Sequence, residues 1–138
     1  DRRQRQMCIR DRFNTVLSVF NFVTLDSFFK YMIEKDLLRQ KDMISIYRAL
    51  TPSYYCAKVL PESLKQVGSQ KLEKIHDFMI VNEWYQHQHV RDAISFTNES
   101  SEWEIHKVGF QQQVKKLDKI RNENFVNVFP ELKAMLDE

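Results

Sequence analysis

Two apolar runs separated by one amphipathic segment constrain this chain more than anything else in it. Phe13 to Val23 (FNTVLSVFNFV) is dense in valine and phenylalanine. A continuous run of that kind suits a strand covered on both faces, as in a parallel sheet; a buried helix is the alternative. Thr24 or Asp26 can cap a helix after it. In that helix Phe29, Met32, Ile33 and Leu37 fall at helical spacing, with Lys30, Glu34 and Lys35 turned outward. After the charged turn at Arg39 to Asp42, Met43 to Leu50 (MISIYRAL) reads as a second strand. Strand, helix and strand in so short a span predict a βαβ crossover between parallel neighbours.

Beyond Leu50 the chain turns helical. Thr51-Pro52-Ser53 breaks the pattern, because proline removes a donor and biases the preceding residue away from helix. Tyr54 to Leu60 reads as a short strand or an extended loop. Pro61-Glu62 opens a helix, and Gly68-Ser69 is expected to punctuate it. A longer helix then turns Leu72, Ile75, Met79 and Ile80 inward. Trp84 to His89 is expected to turn, Val90 to Phe96 to be helical, and Asn98 to Ser101 to form a polar loop. From Trp103, the residues Val108, Phe110, Val114, Leu117 and Arg121 approximate one helical face, weakened at Gly109. Asn122-Glu123-Asn124 interrupts that helix. A turn at Phe125 to Phe129 follows, and Pro130 opens a last helix with Leu132 and Leu136.

The first twelve residues stand apart. DRRQRQMCIRDR has five arginines and no periodic apolar face, and from Arg2 to Arg12 it resembles, residue for residue, one frame of a transposase-based sequencing adapter. Such a segment is excluded from fold reasoning as a non-native, disordered tag. The resemblance further implies that the natural N-terminus is missing. The exclusion removes the apparent basicity. The chain has 21 basic and 19 acidic side chains. Without the five arginines and two aspartates of the tag, 16 basic and 17 acidic groups remain, a net charge of −1. Global charge therefore gives no argument for nucleic acid. Only two glycines disfavour a turn-rich all-β fold. Cys56 is the one cysteine outside the tag, which excludes an intrachain disulfide there and fits a reducing, cytoplasmic setting. The longest apolar run is too short to span a bilayer, so no membrane partner is expected.

Few residues suggest chemistry. His87 and His89 are the most tempting metal ligands, but an i, i+2 pair shares a face on a strand and not on a helix. No metal site is therefore expected, nor any catalytic residue. Cys56 lacks a neighbouring base and reads as a buried structural thiol. Glu99, Glu102 and Glu104 read as a solvated face. Asn21 stands out as an amide near the carboxyl end of an apolar strand, where ligands gather in α/β folds. Arg48 has a similar place in the second strand. The plainer roles are a backbone partner for Asn21 and a solvent-seeking stem for Arg48.

The stretch LDKIRNENFVNVFPEL resembles the C-terminal signature of a family of radical S-adenosylmethionine proteins, common in phage and marine sequence, that carry a twitch-type cysteine domain. The matching positions are Leu117 to Arg121, Phe125 and Val128 to Leu132. LSVFNFVTLDSF and PSYYCAKVLPESLK show weaker similarity, to a late barrel strand and to the loop before the tail helices. The resemblance implies an α/β fold, the C-terminal βα units of a partial (βα) TIM-like barrel followed by a mainly helical tail. Residues 13–60 would be the terminal βαβ part and residues 61–138 the tail. It implies a parent enzyme using S-adenosylmethionine and a 4Fe-4S cluster for radical chemistry, with Asn21 on the cofactor side. The three-cysteine cluster motif and the twitch domain are absent from this sequence, so the chain itself is expected to be inactive and to carry no cofactor. Its implied partner is the N-terminal part of the same barrel. The competing expectation is a non-enzymatic helical interaction module.

Overall fold

The computed structural model describes residues 12–137. Most of the tag expectation thus lies outside the described residues, and Arg12 is the exception: its backbone begins the first strand. The protein is mixed α/β and mostly helical. Strand β1 (Arg12–Leu17), helix α1 (Leu25–Glu34) and strand β2 (Met43–Arg48) form the expected βαβ unit, with β1 and β2 parallel. In the register Phe13 lies beside Ile44, Thr15 beside Ile46 and Leu17 beside Arg48. One further bond extends the pairing, from the Ala49 N–H to the Leu17 carbonyl.

The first strand is shorter than the apolar run that encodes it. It stops at Leu17, and residues 19–24 form turns. The reason is local chemistry. The Asn21 side-chain oxygen accepts the Ser18 N–H at 2.9 Å, and its amide nitrogen donates to the Val16 carbonyl. The chain folds back on the strand end, offering these groups partners outside the ladder. Val19, Phe22 and Val23 are still buried, because the loop runs through the core. Neither Thr24 nor Asp26 caps α1 with its side chain. Asp26 is instead a buried first-turn residue, 3.6 Å from the ammonium of Lys30. The helix ends before Leu37, where Asp36 takes φ 56°. Leu38 therefore enters the core and Leu37 stays exposed, the reverse of the helical count.

Tyr54 to Leu60 is neither strand nor open loop. It makes two 3-10 turns, Ser53–Tyr55 and Ala57–Val59, with Cys56 buried between them. Helix α2 (Glu62–Val81) runs unbroken through Gly68-Ser69. That glycine is a point of close approach, since a Cβ there would lie 2.6 Å from the Phe22 ring. Ile80 turns outward. Helix α3 (His87–Asn98) begins inside the expected turn and packs against α2.

Helix α4 (Trp103–Arg121) buries Trp103, Phe110 and Val114 but exposes Val108. It ends in a left-handed Asn122, φ 53°, with the Glu123 N–H bonded to the Asp118 carbonyl. Asn124 then caps the short helix α5 (Phe125–Val128) by accepting the Val126 N–H at 3.0 Å. A 3-10 turn (Pro130–Leu132) and helix α6 (Ala134–Asp137) stand where one last helix from Pro130 was expected, with Leu132 and Met135 buried.

The buried side chains form one cluster from Leu17 to Met135. Phe22, Phe29, Phe110, Leu72, Met79 and Leu132 are among those almost fully removed from water. Each such side chain contributes about 1.5–3 kcal/mol on burial. The βαβ unit and the helical tail thus share a core. The sheet does not close: β1 and β2 are its only strands among the described residues.

Candidate functional site

The carboxyl end of the two strands is where the sequence pointed, and the structure gives its residues separate tasks. Both polar atoms of Asn21 are used in closing the β1 loop. Arg48 turns away to α3, its guanidinium 4.5 Å from the centre of the Phe96 ring. Lys58 reaches the same ring at 4.6 Å and pairs with Glu99 at 3.2 Å. Phe96 thus collects two cations, each such contact contributing about 0.5–1 kcal/mol at an accessible site. Glu99 and Glu104 are solvated, Glu104 beside Lys107, whereas Glu102 is half-buried.

The histidines are half-buried. His87 opens α3 and lies edge-on to His76 of α2, ring centres 5.6 Å apart. His89 is two residues further along a helix, on another face. His76 approaches Arg91 at 3.4 Å and Asp77 at 3.7 Å. No three His, Cys, Asp or Glu side chains among the described residues are placed to hold a metal ion.

Lys65 and Gln86 are buried polar residues that the sequence did not single out. Lys65 follows Leu64 in α2 and is 1% exposed. Its ammonium donates to the Ser100 carbonyl at 2.6 Å, tying the start of α2 to the loop after α3. Burial pushes its pKa below the ordinary lysine value, and the carboxylates of Glu62 and Glu102 oppose that shift. In ESLKQVG nothing distinguishes this lysine from a solvated one.

Gln86 is fully buried. Its amide nitrogen donates to the carbonyls of Arg39, at 3.0 Å, and Asp42, while its oxygen has no hydrogen-bond partner. The Tyr85 hydroxyl also donates to the Asp42 carbonyl, at 2.7 Å. Loss of solvent around the phenol, helped by the charge of Asp42, raises the Tyr85 pKa. Gln40 returns the connection by donating to the carbonyls of Asn82 and Glu83. The loop before β2 is thereby stapled to the loop before α3.

A third feature is concave. Residues of α4 and α5, joined by Phe20 of the β1 loop and Tyr55, enclose a cleft of about 370 Å³. Phe20 is its hub, with ring centres 4.9 Å from Tyr55, 5.3 Å from Phe129 and 6.4 Å from Phe125. Val114, Leu117, Asp118 and Arg121 share the facing side of α4, as i, i+3, i+4 and i+7 require. The stretch from Leu117 to Phe129 therefore builds a binding-sized hollow, which its sequence did not disclose.

Comparison with protein-family models, curated proteins and solved structures finds no match for this chain. Among the described residues no helix is long and apolar enough to cross a membrane.

Proposed function

We propose that this chain supplies the last βα units and the helical tail of a radical S-adenosylmethionine enzyme. The observation that carries the reading is the unfinished sheet. Parallel strands occur almost only where both faces are covered, and two strands rarely stand alone. Here Leu17 and Ile44 reach the core, while Val16, Met43 and Tyr47 on the opposite face are each more than half exposed. Asn14 and Ser45 lie beside each other on that face. Such a pair fits inside a larger parallel barrel, where the outer face meets helices and the inner face meets other strands.

In this reading the cluster and S-adenosylmethionine belong to the rest of the barrel. Cys56 is buried and no ligand triplet converges near it, so the described residues do not fit an iron–sulfur cluster. Asn21 would support the cofactor side by holding the loop beyond β1. The alternative, a non-enzymatic helical interaction module, draws on the exposed Ile105, Val108 and Ile120 of α4.

The test is the coding sequence upstream of residue 13 in the source DNA, expressed in frame with this chain under anaerobic conditions with iron and sulfide. A cysteine triplet, cluster formation and reductive release of 5′-deoxyadenosine from S-adenosylmethionine are expected. Amides of β1 and β2 should also exchange more slowly than in the present chain. An upstream frame without the triplet, or unchanged exchange in both strands, would sink the proposal.

A further inference from the structure

The cleft between α4 and α5 has a selective lining. Its floor is four aromatic rings, Phe20, Tyr55, Phe125 and Phe129. Ring faces carry negative electrostatic potential and attract cations. At the rim stand two carboxylates, Asp118 and Glu123, against one guanidinium, Arg121. One Asp118 oxygen accepts the Phe125 N–H at 3.2 Å, which fixes that carboxylate at the edge of the hollow. The last turn of α4, the negative end of its dipole, ends at the same place. Rings, acids and helix end all favour positive charge.

Arg121 does not satisfy that preference itself. Among the described residues the aromatic rings with a cation stacked on them come down to Phe96, which takes Arg48 and Lys58. The rings of the cleft have none. Arg121 is exposed at the rim on a flexible stem, from which it can leave at little cost. Carboxylate and phosphate ligands would meet two acids there, Asp118 being held in place by the Phe125 N–H.

We infer that this cleft binds a small organic cation, an alkylated ammonium on an apolar or aromatic stem. The charged head lies against the rings of Phe20, Tyr55 and Phe129, close to Asp118 and Glu123. The stem fills the apolar side made by Val114, Leu117 and Val128. Binding is non-covalent, and the volume of the hollow suits a molecule of that size.

Arg121 makes the inference sharply testable, because its removal has opposite effects on cations and anions. Phenyltrimethylammonium, the neutral isostere tert-butylbenzene, and benzoate are titrated into the purified chain at low ionic strength. Calorimetry gives affinity, and methyl resonances of Leu117 and Val128 locate the bound probe. The cation is expected to bind about tenfold more tightly than the isostere, equivalent to about two ring contacts. Arg121→Gln should tighten cation binding roughly twofold and Glu123→Gln should weaken it by a similar factor, both effects fading in high salt. Each side chain is exposed, so neither change threatens the fold. Equal affinity for the cation and the isostere, preferred binding of benzoate, weaker cation binding by Arg121→Gln, or no binding of the cation would each overturn the assignment.

Discussion

The two glycines of this chain, both inside helices, should respond to alanine with opposite signs. Gly68 lies in the middle of α2, where an ideal Cβ would sit 2.6 Å from both Cδ1 and Cε1 of Phe22 and 3.3 Å from the Phe22 carbonyl oxygen. Carbon atoms rest at about 3.5–4.0 Å, so the ring must retreat by about 1 Å. It has no easy path, because Phe22 is fully buried and its loop is held by Asn21. Overpacking of this kind costs about 1–3 kcal/mol, whereas helix propensity returns at most about 1 kcal/mol. Gly68→Ala should therefore destabilise the protein by about 1–2 kcal/mol, a fall in Tm of roughly 4–8 °C. At Gly109 in α4 the new Cβ would be 3.6 Å from Tyr54, an ordinary contact. Gly109→Ala keeps the propensity gain and should stabilise by about 0.5–1 kcal/mol. Thermal and urea unfolding followed by circular dichroism measure both. Trimming the ring in the double variant Gly68→Ala with Phe22→Leu should cost less than the sum of the two single changes. Equal stabilisation by both alanines would refute the claim that the Phe22 loop lies on the α2 backbone.

Three further expectations concern Lys65, Tyr85 and Gln86. Because the folded state lowers the Lys65 pKa, the unfolded chain holds more protons, and this residue makes stability rise as pH climbs through the folded pKa toward 10.5. Lys65→Met should remove this rise, so that the difference in stability between parent and variant moves in favour of the parent as that range is crossed in chemical denaturation. Tyr85 has the opposite sign: its raised pKa makes stability fall as pH rises above 10.0, and Tyr85→Phe should flatten that fall. Gln86→Leu would leave the Arg39 carbonyl without its side-chain donor and Asp42 with only the tyrosine, a loss of about 1–3 kcal/mol. Faster amide exchange at residues 39–42 should accompany it, and unchanged exchange there would contradict the stapling of the two loops.

What the sequence determined by itself was the order of elements and much of their inward faces. Two apolar runs, FNTVLSVFNFV and MISIYRAL, set two parallel strands about one helix, because that connection is the one a short amphipathic segment permits. Phe29, Met32, Leu72, Ile75, Met79, Phe110 and Val114 followed helical periodicity into the core, since burial of one helix face depends on neighbours three and four residues away. Asn122 likewise marked the end of α4 by tolerating a left-handed backbone. Periodicity failed where a partner lay far along the chain. It divided α2 at Gly68, whose role is set by Phe22, and it gave no sign of Lys65, which Ser100 holds inside. Gln86 acquired its donors' targets from a loop more than forty residues earlier. The sequence singled out Asn21, which lies in the turns beyond β1, and Arg48, the last residue of β2, but only the tertiary structure showed that one closes a loop and the other stacks on Phe96. The C-terminal stretch was legible as a chain of apolar anchors. That these anchors enclose a hollow was decided by Phe20 and Tyr55, because a cavity needs walls from separate segments and no local pattern records both.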